Sequence, residues 1–346
     1  MAYAAAEPMA VRPVISVVLP YFNEKENLGP LVERLRPILE KVSAGSYEIV
    51  FVDDASTDGS AEQLDELNAQ DGRIKVLHFS RNFGHQAALT AGLAHATGQA
   101  VVCMDSDLQD PPEVLEAFVD RWRAGNEVVY GVRRRRKESI WKRAGYSLFY
   151  RSMHAIAEID VPLDAGDFCL LDRKVVDVLV ALPEHNRFLR GLRSWIGFRQ
   201  AAVEYERAAR FGGEPKYTLR KLIRLALSGY VGFSSLPLRM SAWLGFMSAL
   251  SGFLVGAWAV LARILDVNAP RGWASTLSVI LFVGGMQLLV LGVMGEYLGR
   301  IYDEVRRRPA FVLREARGFA PVPDELTARR QVLLPPPPVQ RPTGLK

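Results

Sequence analysis

The segment DSDLQD, residues 105–110, places three carboxylates and one amide directly after a short apolar stretch. Asp105 and Asp107 flank a serine, and Gln109 follows them. Oxygen donors of this kind suit a hard divalent cation such as Mg²⁺ or Mn²⁺, which commonly completes its coordination with phosphate oxygens and water. A lone D-x-D pair is weak evidence, because acidic residues also favour turns. Its position at the end of a predicted strand strengthens the interpretation as a metal and diphosphate site.

Two further polar clusters follow other predicted strands: PYFNE at residues 20–24 and DDASTDGS at residues 53–60. In a doubly wound sheet, ligands bind outside the carboxyl ends of the strands, so we expect all three clusters to line the same rim. The sequence contains neither GxGxxG nor GxxxxGK[ST]. Neither a dinucleotide loop nor a P-loop therefore explains a phosphate ligand here.

The elements that must position these clusters lie between Val14 and about Val132. Five β-branched stretches, VISVVLP, YEIVFVDD, IKVLHFS, AVVCMD and EVVYGV, alternate with four amphipathic helical patterns. This alternation predicts a doubly wound α/β domain with a mostly parallel sheet covered on both faces. The two cysteines, Cys103 and Cys169, have no disulfide or metal spacing, so we expect a reducing compartment and no structural zinc.

Two long apolar segments change the character of the C-terminal half. Residues 240–262 and 272–295 contain no charged side chain. Each spans roughly 35 Å as a helix, enough to cross a hydrocarbon core of about 30 Å. The sequence therefore predicts transmembrane helices at residues 240–262 and 272–299.

The basic residues around these segments predict their orientation. The predicted external loop, residues 263–271, contains only two, Arg263 and Arg271. Clusters of lysine and arginine lie before the first helix and after the second, at Arg210, Lys216, Arg220, Lys221, Arg224, Arg239, Arg300, Arg306, Arg307, Arg308, Arg314 and Arg317. By the positive-inside rule, the N-terminal domain and the C-terminus are cytosolic in a multi-pass protein of the cytoplasmic membrane. We expect the net charge of +5 to face a membrane and not a nucleic acid.

The remaining boundaries follow from composition. A basic and apolar segment at residues 211–239 is typical of an interfacial amphipathic helix, although a plain packing helix is the alternative. The other predicted parts are a flexible N-terminus at 1–12, the α/β domain at 13–210, a cytoplasmic segment at 300–330 and a Pro-rich disordered tail at 331–346.

Four motifs in order, PYFNE, VDDASTDGS, SRNFGHQAALTAG and DSDLQDPPE, resemble those of the family 2 glycosyltransferases with a GT-A fold. The two C-terminal transmembrane helices make the chain most similar to the polyprenyl-phosphate glycosyltransferases. That group includes dolichol-phosphate mannose synthases and bacterial undecaprenyl-phosphate glucosyltransferases. The resemblance extends from about Val14 to Arg317.

The resemblance implies roles for individual residues. Nucleotide-sugar binding is implied for Pro20, Tyr21, Asn23, Glu24, Asp53, Asp54, Arg81, Asn82 and Asp105. The D-x-D-x-Q pattern implies a Mg²⁺ or Mn²⁺ site at Asp105, Asp107 and Gln109. Asp110 and Glu113 are expected instead to begin a helix at Pro111, where negative charge suits the helix dipole.

The implied acceptor is a polyprenyl phosphate such as undecaprenyl phosphate. Its phosphate is expected to meet Arg133, Arg143, Ser147, Arg210 and Lys216. Asp167, in DAGDFCLLDR, corresponds to an acidic residue that faces the acceptor in the family. A phosphate monoester has a second pKa near 6 and is already largely dianionic in the cytosol. Asp167 therefore either orients the acceptor or a sugar hydroxyl, or acts as a general base.

The implied reaction is an inverting, in-line attack by the lipid phosphate on a nucleotide sugar. UDP-glucose is the favoured donor, with GDP-mannose or another hexose donor left open. The family also suggests a homo-tetramer, in which residues 300–318 could pack on a neighbouring subunit.

Two other functions compete with this reading. A processive polysaccharide synthase typically carries QxxRW, whereas this chain has FVDRW, with Phe118 in place of the glutamine. A non-catalytic, membrane-tethered sensor of nucleotide sugars is the alternative from a different class.

Overall fold

The computed structural model describes residues 13–133, 165–184, 187–206, 236–264 and 273–319. The chain divides into two compact units. The sheet unit comprises residues 1–138, 161–214 and 308–346, and the helical unit comprises residues 139–160 and 215–307. The N-terminus at 1–12, most of the interfacial segment at 211–239, most of the external loop at 263–271 and the tail at 331–346 lie outside the described residues.

The sheet unit is built on one sheet with the strand order β7-β5-β6-β4-β1-β2-β3-β8. Its strands are β1 (Ile15–Tyr21), β2 (Tyr47–Asp53), β3 (Ile74–Phe79), β4 (Ala100–Cys103), β5 (Val128–Arg133), β6 (Ala165–Asp172), β7 (Gln200–Tyr205) and β8 (Leu313–Arg317). The first five strands are those predicted from the apolar stretches.

The pairing of these strands is mixed. β1 pairs in parallel with β2 and β4, β2 with β3, and β5 with β7. β6 runs antiparallel to both β4 and β5, and β8 runs antiparallel to β3. The prediction of a mostly parallel sheet therefore holds for the N-terminal strands, and the antiparallel β6 and β8 were not anticipated.

Helices cover both faces of the sheet, as predicted. They are α1 (Lys25–Ser43), α2 (Ser60–Gln70), α3 (His85–His95), α4 (Val114–Arg123), α5 (Arg173–Ala181) and α6 (Leu189–Trp195). Successive residues of a strand point to opposite faces. Val17 accordingly packs in the core beneath α1 and α4, whereas Val18 packs in the core beneath α3 and α5. Gly92 lets α3 lie directly against Val18, because a Cβ at that position would collide with the valine.

The helical unit contains two long helices, α7 (Leu236–Ile264) and α8 (Trp273–Arg306). Their candidate membrane spans are residues 240–258 and 282–306, and only 6% and 0% of these spans are buried within the protein. Large apolar side chains such as Phe253, Phe282 and Leu288 are exposed on them. An apolar surface of this extent suits contact with lipid. The two candidate transmembrane helices expected from the sequence are therefore present.

The segment after α8 contributes a strand to the sheet. Residues 300–330 were predicted as a cytoplasmic segment, in which residues 300–318 could pack on a neighbouring subunit. β8 completes the edge of the sheet beside β3 of the same chain. Phe311 and Leu313 are buried in the core beneath α3, and Phe311 stacks on Phe79 with ring centres 5.3 Å apart. This part of the chain belongs to the sheet unit, and the predicted homo-tetramer stays a prediction.

Candidate active site

The three predicted polar clusters meet at the carboxyl ends of β1, β2 and β4. The backbone N–H of Asn23 donates to Ser56 Oγ at 3.1 Å, and the N–H of Thr57 donates to Asn23 Oδ1 at 2.8 Å. Ser106 Oγ lies 2.9 Å from the carbonyl oxygen of Pro20 and 2.8 Å from Glu24 Oε2. Residues 20–24, 53–60 and 105–110 therefore form one rim, as the doubly wound topology requires.

Two adjacent carboxylates at the end of β2, Asp53 and Asp54, accept backbone hydrogen bonds from the loops of this rim. Asp53 is buried, and its Oδ1 accepts the N–H of Ser56 at 2.9 Å. Asp54 is also buried, and its two oxygens accept the N–H groups of Phe83 and Gly84 at 2.6 and 2.9 Å. Asp53 thus shapes its own loop, while Asp54 holds the RNFG segment. Direct contact of either carboxylate with a nucleotide stays a prediction.

The RNFG segment presents its polar residues outward. Arg81 and Asn82 are both exposed at the rim. The Arg81 guanidinium lies 4.1 Å from the centre of the Phe83 ring, and Nη1 donates to the carbonyl oxygen of Asn82 at 3.2 Å. Because Asp54 anchors the segment at Phe83, the Arg81 side chain is held near the rim with its charge in solvent. Such a guanidinium can bind a diphosphate.

The D-x-D segment concentrates negative charge. The pKa of Asp105 is raised to about 6, chiefly by burial, and the charges of Asp110, Asp107 and Asp167 also raise it while His85 lowers it. Asp107 Oδ1 accepts the N–H of Gln109 at 3.1 Å, across a turn in which Leu108 has a φ of 58°.

A divalent cation would neutralise this charge, so the donor set fits Mg²⁺ or Mn²⁺. Among the described residues, no group of three or more His, Cys, Asp or Glu side chains is arranged to hold a metal ion. Mg²⁺ is commonly held by one or two carboxylates with phosphate and water, so the predicted ligands Asp105, Asp107 and Gln109 stay a prediction.

Asp167 lies at the same rim because β6 runs antiparallel to β4, so that the start of β6 meets the end of β4. His85 Nε2 lies 3.6 Å from Asp167 Oδ2 and 3.6 Å from Asp105 Oδ1. Arg190 Nη2 lies 3.4 Å from Asp167 Oδ1. Burial alone would raise the pKa of Asp167, but the adjacent His85 and the charges of Arg190 and Arg193 lower it to about 2.

Three of these cations were missed from the sequence. His85 directly follows the RNFG motif, and Arg190 and Arg193 are three residues apart on α6. Arg193 is only 2% exposed, lies 5.1 Å over the Tyr130 ring, and donates from Nη1 to the carbonyl oxygen of Gly166 at 3.4 Å. A buried arginine is rare without a charge partner. The three-residue spacing of Arg190 and Arg193, which places both on one face of a helix, was the sequence signal that could have identified them.

The predicted acceptor cation Arg133 is held by a buried hydrogen-bond chain. Its Nε donates to the Tyr205 hydroxyl at 3.3 Å, and that hydroxyl donates to Asp110 Oδ1 at 2.6 Å. Asp110 is fully buried, and α4 begins at Val114. The expectation that Asp110 starts this helix at Pro111 is therefore wrong. The helix begins later in the chain, and the Asp110 carboxylate accepts a hydrogen bond from Tyr205. Glu113 does lie at the helix start, where it pairs with Arg34 at 2.9 Å.

The other four predicted acceptor residues, Arg143, Ser147, Arg210 and Lys216, lie outside the described residues. Their roles stay predictions.

Comparison with known proteins adds a second line of evidence. Residues 16–180 match the family described as glycosyl transferase family 2, and residues 236–301 match the family described as GtrB C-terminal hairpin. An uncharacterized glycosyltransferase of Bacillus subtilis (strain 168) is 42% identical over 305 residues, which cover 88% of this chain and 94% of the relative. The chain belongs to glycosyltransferase family 2.

Two further relatives of this glycosyltransferase have more specific descriptions. A prophage bactoprenol glucosyl transferase homolog of Escherichia coli (strain K12) is 39% identical, with 88% of this chain and 99% of the relative covered. A bactoprenol glucosyl transferase of Shigella phage SfII is 40% identical, with 87% and 98% covered. The predicted GT-A fold and the prediction of an enzyme are confirmed. The hairpin match spans α7 and most of α8, so the two candidate transmembrane helices are part of the family resemblance.

Proposed function

We propose that this glycosyltransferase transfers a hexose from a nucleotide sugar to polyprenyl phosphate at the cytoplasmic face of the membrane. The observation that carries the proposal is the likeness to bactoprenol glucosyl transferases, which extends over 87% to 88% of the chain and includes the helical unit. The names of these relatives support glucose as the sugar, and UDP-glucose is the proposed donor. The acid-lined and cation-lined rim supports binding of a charged donor.

The reaction we propose is a single displacement with inversion. An oxygen of the lipid phosphate attacks the anomeric carbon, a new carbon–oxygen bond forms, and the bond from that carbon to the nucleoside diphosphate breaks. A divalent cation at Asp105 and Asp107, when bound, supplies positive charge for the departing diphosphate. Arg81, exposed at the rim, also stabilises the negative charge of the departing diphosphate.

Asp167 orients groups in this proposal and does not remove a proton. A general base works best when its pKa lies near the operating pH, whereas the pKa of Asp167 is about 2. The acceptor needs little deprotonation, because the second pKa of a phosphate monoester is near 6. The Asp167 carboxylate instead holds the cations His85 and Arg190 beside the D-x-D segment.

The chain path supports the proposed membrane topology. α8 ends at Arg306, and the short connection 307–312 leads directly into β8 of the sheet unit. A connection of this length cannot cross a bilayer core of about 30 Å as well as join the sheet. The C-terminal end of α8 and the catalytic sheet would then share one side of the membrane, which the basic residues place in the cytosol.

The test is lipid glycosylation by detergent-purified protein. The protein is incubated with Mg²⁺, undecaprenyl phosphate and separate nucleotide sugars, including UDP-glucose and GDP-mannose, and the lipid is analysed by mass spectrometry. Asp107→Ala should abolish product, whereas Asp120→Ala, an exposed acidic residue on α4, should not.

The proposal is supported, and the donor identified, if the lipid gains one hexose with the wild type and with Asp120→Ala but not with Asp107→Ala. Failure of every donor, while nucleotide still binds, would instead favour a nucleotide-sugar sensor.

A further inference from the structure

A buried histidine lies directly beneath the nucleotide rim. His78 of β3 is 1% exposed and lies between two carboxylates from different elements. Its Nδ1 is 2.9 Å from Asp53 Oδ2 on β2, and its Nε2 is 3.0 Å from Asp65 Oδ1 on α2. Such distances are those of hydrogen bonds, so both ring nitrogens are engaged.

The hydrogen-bond partners of His78 indicate which of its ring nitrogens carry a proton. An ionised carboxylate only accepts hydrogen bonds, so each ring nitrogen that faces one must carry a proton. Burial opposes the charged ring, but the hydrogen bonds to Asp53 and Asp65 outweigh it and raise the pKa of His78. The pKa of Asp53 is lowered in turn, against its own burial, by hydrogen bonds from His78 and Ser56. The contacts to the two aspartates therefore stabilise the protonated form of the His78 ring.

The Asp53 end of this cluster reaches the predicted nucleotide loops. Its other oxygen accepts the N–H of Ser56, and Ser56 Oγ in turn accepts the N–H of Asn23. The rotamer of Asp53 thus contributes to the placement of residues 53–60 against residues 20–24, together with the hydrogen bond from Thr57 N–H to Asn23 Oδ1. His78 fixes that rotamer from below, since it holds the second carboxylate oxygen.

The Asp65 end reaches the strand that follows the membrane helices. Arg317 of β8 lies with Nη1 3.1 Å from Asp65 Oδ2, and its Nε donates to Glu315 Oε1 at 2.8 Å. Glu315 is the register partner of His78 across the β3–β8 pair, and its pKa is lowered chiefly by the hydrogen bond from Arg317, with a smaller contribution from His78. The charged groups around His78 therefore come from β2, α2 and β8.

We propose that His78 is a positioning residue for nucleotide binding and that, through Asp65, it couples the nucleotide loops to Arg317 on β8. The proposal rests on the proposed function only in that the rim binds a nucleotide. The strand that returns from the membrane hairpin thereby contributes to donor affinity without touching the donor.

The test measures nucleotide affinity in the absence of acceptor. Full-length protein in detergent with Mg²⁺ is titrated with UDP and with GDP by isothermal titration calorimetry. His78→Gln removes the positive charge and should raise the Kd of the nucleotide that binds wild type by about tenfold or more. Arg317→Gln breaks a partly exposed pair and should raise it by about two- to fivefold.

Matched controls separate positioning from general effects. Arg314→Gln removes the same charge from an exposed site on the same strand and should leave the Kd unchanged. His95→Gln alters the other histidine beside this C-terminal segment, whose ring lies 6.5 Å from Phe311, without touching the carboxylates. Arg317→Lys should recover part of the lost affinity. Thermal unfolding of each variant gives the change in stability separately.

Each result decides the matter. A lower Tm for His78→Gln with an unchanged Kd would show a structural role and overturn the proposal, as would equal effects of Arg314→Gln and Arg317→Gln. Should His78→Gln not fold, the comparison of Arg317→Gln with Arg314→Gln carries the test. Failure of wild type to bind either nucleotide would also overturn it. Binding without sugar transfer would instead refute the proposed function and leave this coupling intact.

Discussion

Replacement of Asp167 by asparagine keeps the size of the side chain and removes its negative charge from beside His85 and Arg190. The pKa of Asp167 falls from an ordinary 3.8 to about 2. Since a tenfold change in acid dissociation corresponds to about 1.4 kcal/mol, the surroundings stabilise the carboxylate by about 2 kcal/mol. The side chain is only 19% exposed, so water screens little of this.

We therefore expect Asp167→Asn to lower the free energy of unfolding by up to about 2 kcal/mol at neutral pH. Because the folded-state pKa is lowered, this contribution is present above the ordinary value of 3.8 and is lost as the pH falls through about 2. Thermal unfolding in detergent at pH 7 measures the loss. The matched variant Asp177→Asn alters a largely exposed carboxylate on α5, so it should have little effect.

The kinetic expectation follows from the same geometry. If Asp167 only orients His85 and Arg190, asparagine should reduce kcat by about 10- to 100-fold, with the pH profile of the rate retained. Initial rates of lipid glycosylation between pH 6 and 9 give both quantities. A loss above about 10³-fold with unchanged stability, together with disappearance of the acidic limb from the pH profile, would show that Asp167 removes a proton and would refute the reasoning.

Three further predictions concern buried groups. Tyr205→Phe removes the hydroxyl that donates to buried Asp110 and should lower the free energy of unfolding by about 1.5 to 3 kcal/mol, measured as a lower Tm. The stability advantage of wild type over His78→Gln should be full below the unfolded pKa of about 6.5 and should decline as the pH rises through the higher folded pKa, which Tm values from pH 5.5 to 9 would show. Cys103 and Cys169 are buried, so a thiol reagent should label them only after unfolding, as absorbance titration would reveal.

Most strands of the sheet could be predicted from local sequence patterns. The stretches that became β1 to β5 are mostly apolar, which is typical of strands buried on both faces. β8 could not be read in this way, because LREAR is charged and pairs with β3 through its backbone at a sheet edge. β6 was recognised only as a motif, since its antiparallel placement between β4 and β5 depends on long-range pairing.

Part of the candidate site could also be predicted from the sequence. Clusters at strand ends must converge in a doubly wound sheet, so residues 20–24, 53–60 and 105–110 could be grouped in advance. The role of Asp110 could not, because its partner Tyr205 lies far along the chain on β7. Cys103 and Cys169 also seemed isolated in sequence, yet they face each other in register on β4 and β6.

The position of β8 has a consequence for biosynthesis and for the design of soluble fragments. The N-terminal strands leave the ribosome first, but β3 remains an open edge until both membrane helices and residues 313–317 have been synthesised. An unpaired edge strand is a template for pairing with other chains. A fragment that ends before α7 would expose this edge and aggregate, whereas one in which residues 308–319 are joined back by a flexible linker would cover it.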